Sequence, residues 1–175
     1  MKKIALLLLM LLSGCTVAPP EGVTPLSGFE LQRYLGKWYE IARLDHSFER
    51  GLSDVSASYS LRDDGGVRVL NRGYDAQAQR WKEAEGRAYF IGEPSVGSLK
   101  VSFFGPFYGG YHVIALDREQ YAWVMISGPS RDYLWILARE RQLPPTVRAA
   151  LLQQAQALGF ATEALIWVQQ TRDDA

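Results

Sequence analysis

The sequence predicts an all-β fold, an eight-stranded antiparallel up-and-down β-barrel with one C-terminal α-helix packed outside. Three observations predict it. Eight strand-like runs follow one another between Trp38 and Arg139, mostly at hairpin spacing. Several of them alternate apolar and polar residues with a period of two, as a strand with one wet face does. The period then changes once, to helical, near the C-terminus. Eight antiparallel strands leave two raw edges unless the sheet closes on itself, and an up-and-down barrel removes both. A β-sandwich is the competing solution, but its Greek-key crossovers ask for longer connections than these.

The N-terminal segment stands apart from that pattern. Lys2 and Lys3 precede an apolar run over residues 4–12, which is too short to span a bilayer and reads as a secretory signal, residues 1–14. The run ends in Leu12-Ser13-Gly14-Cys15, which resembles the lipobox of bacterial lipoproteins. That resemblance implies that Cys15 is acylated and becomes the mature N-terminus. Cys15 is the chain's one cysteine, so no disulfide forms within the monomer. Thr16 follows it rather than Asp, which by the sorting rules of such lipoproteins favours the outer membrane over the inner, periplasm-facing. Residues 15–28, with three prolines and two glycines, read as a flexible lipidated tether.

The domain itself is expected over residues 29–170, with a polar tail at 171–175. The first run, 38–44, carries Trp38 and Glu40. The second, 55–61, alternates Val55, Ala57, Tyr59 and Leu61 against three serines. Asp63-Asp64-Gly65-Gly66 is a hairpin turn by composition. Runs at 67–74, 81–91, 99–104, 110–117, 121–127 and 133–139 complete the eight. Pro144-Pro145 then opens a helix, Val147, Leu151, Leu152, Ala155 and Leu158 form its apolar stripe, and Gly159 ends it. A short strand at 164–168 comes last. Both faces of the 121–127 run are apolar, which predicts that the helix packs there.

Side-chain size along the inward face decides whether such a barrel is filled or hollow. Within run 81–91, Glu83, Glu85 and Arg87 take one face, leaving Ala84, Gly86, Ala88 and Phe90 as the inward set. Ala42 and Ala57 add two more small residues. A closed barrel does not collapse onto the missing volume, so a cavity follows. Its remaining lining is expected from Tyr59, Phe103, Tyr108, Tyr111, Val113, Trp135 and Leu137, with Asn71 and Glu40 as isolated polar groups. An apolar pocket of this kind suits an elongated lipophile. A barrel filled by its own side chains, serving as a structural or interaction lipoprotein, is the alternative.

Several motifs carry a family resemblance. Gly36-Lys37-Trp38-Tyr39-Glu40, preceded by Tyr34-Leu35, resembles the Gly-x-Trp signature that opens the lipocalin barrel. Trp135-Ile136-Leu137-Ala138-Arg139 is similar to the family's third signature, whose Arg lies over the Trp of the first. Between them, Asn71-Arg72-Gly73-Tyr74 and the 103–111 stretch, Phe-Phe-Gly-Pro-Phe-Tyr-Gly-Gly-Tyr, resemble bacterial lipocalins. The middle signature departs from the family: only Asp117 and a displaced Tyr121 match its Thr-Asp-Tyr. The resemblance implies that Gly36, Trp38 and Arg139 close one barrel end. It implies a fatty acid or lysophospholipid as ligand, bound by Ala42, Tyr59, Asn71, Ala88, Phe90, Phe103, Tyr108, Tyr111, Val113 and Trp135. Glu40 is expected to point inward above Trp38, with Asn71 or water as partner, and Arg43 and Arg50 to reach a headgroup. The aromatic, glycine-rich 104–110 loop is expected to gate the open end or rest against a membrane.

Chemistry is not expected. His46 and His112 lack metal-ligand spacing, and no Gly-x-Ser-x-Gly elbow or phosphate-binding glycine loop occurs. No cofactor is implied, and with 19 basic and 19 acidic residues neither is a nucleic-acid partner. The expected partners are one lipid, the membrane through Cys15, and, with oligomeric state left open, a second copy as a homodimer.

Overall fold

The computed structural model describes residues 17–173, so the signal segment, the Cys15 anchor and the last two residues lie outside the described residues. A single helical turn, α1 (Leu31–Tyr34), precedes eight long strands: β1 (Gly36–Arg43), β2 (Leu52–Leu61), β3 (Val67–Asp75), β4 (Arg80–Phe90), β5 (Ser98–Phe104), β6 (Phe107–Leu116), β7 (Trp123–Ser127) and β8 (Leu134–Ala138). Helix α2 (Pro145–Ala157), a 3-10 turn (Thr162–Ala164) and β9 (Ile166–Trp167) follow. Each strand pairs antiparallel with the next, β8 returns to β1 and β1 pairs with β2, so the sheet is a closed barrel.

Two apolar clusters stabilise it, one on each side of the wall. Inside lie Trp38, Ala57, Tyr59, Val69, Val113, Ile126 and Leu137. Outside, Ile41, Ala42, Met125, Leu134 and Ile136 are covered by Leu151 and Ala155 of α2. Strand β7 feeds both clusters, Val124 and Ile126 inward and Met125 outward. Its two apolar faces therefore have separate covers, as the sequence suggested.

Parity fails in β1. Its pairing with β8 shifts register between Glu40 and Ala42, a β-bulge. Trp38 and Glu40 face the lumen, Ile41 and Ala42 both fall into the outer cluster, and the Arg43 guanidinium comes back to Glu40. Counting in twos from Trp38 placed Ala42 inside, and the extra residue overturns that.

Both ends of the described chain are built into the wall. Residues 17–28 were expected to hang as a flexible tether; instead they lie along the barrel. Leu26 donates its N–H to the Val113 carbonyl (2.8 Å) and accepts from Gly97 (2.8 Å), Ser27 bridges Val96, and Val23 is buried. At the other end β9 pairs with β1 where β1 has parted from β2. The Gln170 amide then donates to the carbonyls of Glu40 and Val55, 2.8 Å each, stitching β1 to β2. Asp54 Oδ1 accepts the N–H groups of Thr171 and Arg172 at 2.6 and 2.8 Å.

Candidate functional site: the barrel cavity

One end of the barrel is shut by the α1 turn and Trp38. The Trp38 ring is fully buried, and its Nε1–H donates to the Tyr34 carbonyl (2.8 Å). The Arg139 guanidinium lies over the indole, 3.8 Å from its centroid. It also donates to the carbonyls of Lys37 (2.8 Å), Arg33 (2.9 Å), Leu35 (2.9 Å) and Tyr34 (3.2 Å). A single cation thus satisfies the carbonyls that end a one-turn helix and covers the plug, where the dipole also favours positive charge. Gly36 is required by its backbone conformation. Its φ of +96° is one L side chains rarely adopt, while a Cβ there would make only ordinary contact with Arg139 Nη1, at 3.4 Å.

The loop after β6, where the middle signature departs from the family, does the same work with other residues. The Asp117 carboxylate accepts the N–H groups of Glu119, Gln120 and Ala122. Tyr121, at φ +53°, is buried, and its hydroxyl accepts the Glu30 N–H (3.1 Å).

Above the plug the lumen is open. It encloses a cavity of about 430 Å³, where a single water needs only about 10–15 Å³. The barrel is therefore not filled by its own side chains. Tyr59, Asn71, Ala88, Phe103, Tyr111 and Trp135 line it, as do Ala57 and Leu137. Near the floor, Tyr34, Tyr111 and Tyr59 form a chain of phenols, with hydroxyl oxygens 2.5 Å and 2.8 Å apart. Burial pushes the Tyr34 and Tyr111 hydroxyls well above their ordinary value and Tyr59 up to about 12, so all three stay neutral.

Four expected contacts are not at the cavity. Ala42 lies outside it because of the bulge. Phe90 packs on Phe29 beneath the floor (ring centroids 6.1 Å apart), and Val113 is sealed at 0 % exposure in the same layer. Tyr108 points outward, where its hydroxyl accepts from Arg87 Nε (3.0 Å). The small residues of β4 also differ in use. Ala88 does leave lumen, but the space beside Gly86 is taken by the Phe103 ring, and Ala84 is exposed.

The polar groups at the mouth form one buried cluster. Glu40 accepts from Arg43 Nη1 (2.7 Å), so its side-chain partner is Arg43 rather than Asn71. Arg43 Nη2 donates to the Glu49 and Leu52 carbonyls, and the whole side chain is sequestered, unavailable to a headgroup. Arg50 is exposed and tied to Asp45 (2.7 Å). Glu49 Oε2 accepts from Trp135 Nε1 (3.1 Å) and lies 3.4 Å from His46 Nδ1. Burial, then the Glu49 charge, pushes the Glu40 carboxyl well up against the pull of Arg43. Glu49 is raised as well, also by burial first. Burial, then Arg43, lowers His46 to about 4, leaving the imidazole neutral at pH 7. Its ring stacks on Phe48 (4.1 Å) and lies against Trp135 (5.0 Å).

Outside the long strands, the sequence placed Phe48 and Glu49 of the 45–54 loop at the opening, where they do line the cavity, but missed Phe29 and Leu31 before β1 and Pro129 and Tyr133 before β8. Loops have no period to read. Val67, Val69, Leu99 and Val101 were within reach, because the alternation of β3 and β5 places them inward with Asn71 and Phe103. Among the described residues no three His, Cys, Asp or Glu groups gather as for a metal ion, and no helix is long and apolar enough to cross a membrane.

The comparisons with known proteins agree with this geometry. Residues 29–170 match the lipocalin-like domain. The chain is 57% identical over 152 residues to the outer membrane lipoprotein Blc of Citrobacter freundii, covering 87% of this chain and 85% of that one. It is 55% identical over 161 residues to the protein of the same name in Vibrio cholerae, covering 92% and 94%. Bovine apolipoprotein D is more distant, 39% identical over 123 residues, covering 67% and 64%. Among solved structures, insecticyanin from the tobacco hornworm Manduca sexta superposes with a TM-score of 0.69 at 19% identity, covering 90% of each chain. A plugged, closed barrel around an apolar cavity, with these relatives, leads to one conclusion: the chain belongs to the lipocalin family, and it binds lipophilic molecules without acting as an enzyme.

Proposed function

We propose that this protein takes up one amphipathic lipid, a fatty acid or a lysophospholipid, and stores or carries it at the bacterial outer membrane during envelope maintenance or stress. It is held there by acylated Cys15, on the periplasmic side. The observation that carries this reading is the enclosed apolar cavity of about 430 Å³, polar only at its mouth and in its floor of phenols. The names of its close relatives, outer membrane lipoproteins, support the location. Burying an acyl chain yields about 0.8 kcal/mol per methylene, ample for a long chain after the costs of association and ordering. The tail occupies the space beside Ala88 and Ala57, and the head stays near Glu49 and Asn71.

Ala88→Phe tests this by filling the lumen from a wall position. It is expected to weaken displacement of a fluorescent fatty-acid probe by palmitate at least tenfold. Its melting temperature should stay within about 3 °C, roughly 1 kcal/mol for a chain of this size. A variant that binds the probe as well as the unsubstituted chain refutes the cavity as the binding site.

A further inference from the structure

The β5–β6 hairpin carries the two most exposed large apolar side chains among the described residues. Phe104 is 81 % exposed and Phe107 67 %. They flank the Gly105-Pro106 turn, face each other across the hairpin and project from the barrel's open end. Below this tip the chemistry changes in order. Tyr108 presents a ring and a hydroxyl, and the guanidinium of Arg87 and the ammonium of Lys100 lie 5.9 and 5.0 Å from its centroid. Neither cation has a carboxylate within ion-pair distance among the described residues. Beside Arg87 a small polar recess opens on the outer wall, lined by Arg62, Arg87, Ser102 and Glu85, whose carboxylate is paired with Arg68 (2.7 Å). The Ser102 hydroxyl there is buried, 4 % exposed, and has no hydrogen-bond partner. Apolar tip, aromatic collar, then unneutralised cations is the sequence of environments met in crossing from acyl chains through the interface to phosphates.

The described N-terminal segment begins beside the same hairpin. A side chain on Gly110 of β6 would meet the Val17 carbonyl oxygen at 2.9 Å, and the backbone of Val17 and Ala18 covers His112. Farther along, Leu26 is bonded to Val113. The N-terminal segment therefore runs beside β6 from Gly110 toward the closed end, and traced backward it leads toward the mouth. Cys15 is two residues before Val17, at most about 7 Å of extended chain. Gly110 is three residues from Phe107, about 10 Å along a strand.

We propose that the β5–β6 hairpin docks on the membrane that holds the acylated Cys15, with Phe104 and Phe107 in the acyl boundary and Arg87 and Lys100 on lipid phosphates. The occupant of this surface is the bilayer. The barrel mouth then faces the lipid rather than the periplasm, so a ligand passes between bilayer and cavity without crossing water.

The acylated full chain in vesicles of phosphatidylethanolamine and phosphatidylglycerol tests this. A nitroxide is attached through Phe107→Cys, or through Glu119→Cys in the exposed loop after β6 at the closed end. The first label is expected to collide with oxygen at least threefold more than with a water-soluble nickel complex, and the second to show the reverse. Equal nickel access at both sites, or deeper immersion of the label at 119, overturns the proposal. In the unsubstituted chain, acetylation of Lys100 by a membrane-impermeant reagent should run at least fivefold slower than that of Lys37. Lys100 reacting as fast as Lys37 refutes it without relying on any variant.

Discussion

Arg43 is the residue on which the mouth turns. It is buried with two carboxylates, Glu40 and Glu49, and a neutral His46, and burial moves the titration of those three away from what it would be in water. Removing either member of such a cluster leaves buried charge without a partner. The consequences for pH have opposite signs. Folded Glu40 keeps its proton to higher pH than an unfolded glutamate, ordinarily near 4.3, so the native state binds more protons and stability falls as pH climbs above that value. Folded His46 loses its proton only near pH 4, below the ordinary value of about 6.5, so stability falls as pH drops from 6.5 toward 4. Glu40→Gln keeps an acceptor for Arg43 and is expected to flatten the alkaline limb, leaving the acid limb in place. Urea unfolding at steps between pH 4 and 9 measures both slopes, and an unchanged alkaline slope contradicts the account. Gly36, Trp38 and Arg139 were readable in the sequence because a fixed local pattern accompanies a closed barrel end. The Arg43 cluster was not, since its partners come from a bulge and a loop that no spacing announces.

Among the elements, β1 and β9 explain one another. The bulge turns β1 away from β2 beyond Tyr39, and the gap is filled by residues 166–172 through β9, Gln170 and the Asp54 carboxylate. Deleting residues 166–175 should expose the outer half of β1 and leave the carbonyls of Glu40 and Val55 without the Gln170 donor. At about 1–3 kcal/mol per buried group left unpaired, the melting temperature should fall by several degrees. Amide exchange should quicken in residues 40–43 while β3 and β4 remain protected, and uniform quickening throughout would count against a local seam. All eight long strands were legible because alternation and turn composition extend over many residues. The turn α1 was not, being too short for any helical period, nor was the ordered path of residues 17–28. Proline and glycine there look like slack, but the chain gains Val23 and Leu26 as apolar contacts along β6.

For the molecule as a whole, the closed sheet explains why a lumen persists. Every strand is fixed by two neighbours, so the wall does not move inward to recover lost contacts. A ligand that fills the lumen should therefore stabilise the whole barrel. Palmitate at a hundredfold over its dissociation constant is expected to add about 2.7 kcal/mol, read as a rise in melting temperature of about 5–10 °C. No rise at saturation would mean that binding occurs elsewhere. The seam at the mouth has a bearing on how such a chain is made. The residues that sew β1 to β2 beyond the bulge lie downstream of all eight barrel strands, so the outer half of β1 lacks its cover until they have been added. A ring already closed through β8 thus gains its last fastening from residues that follow every strand of the barrel.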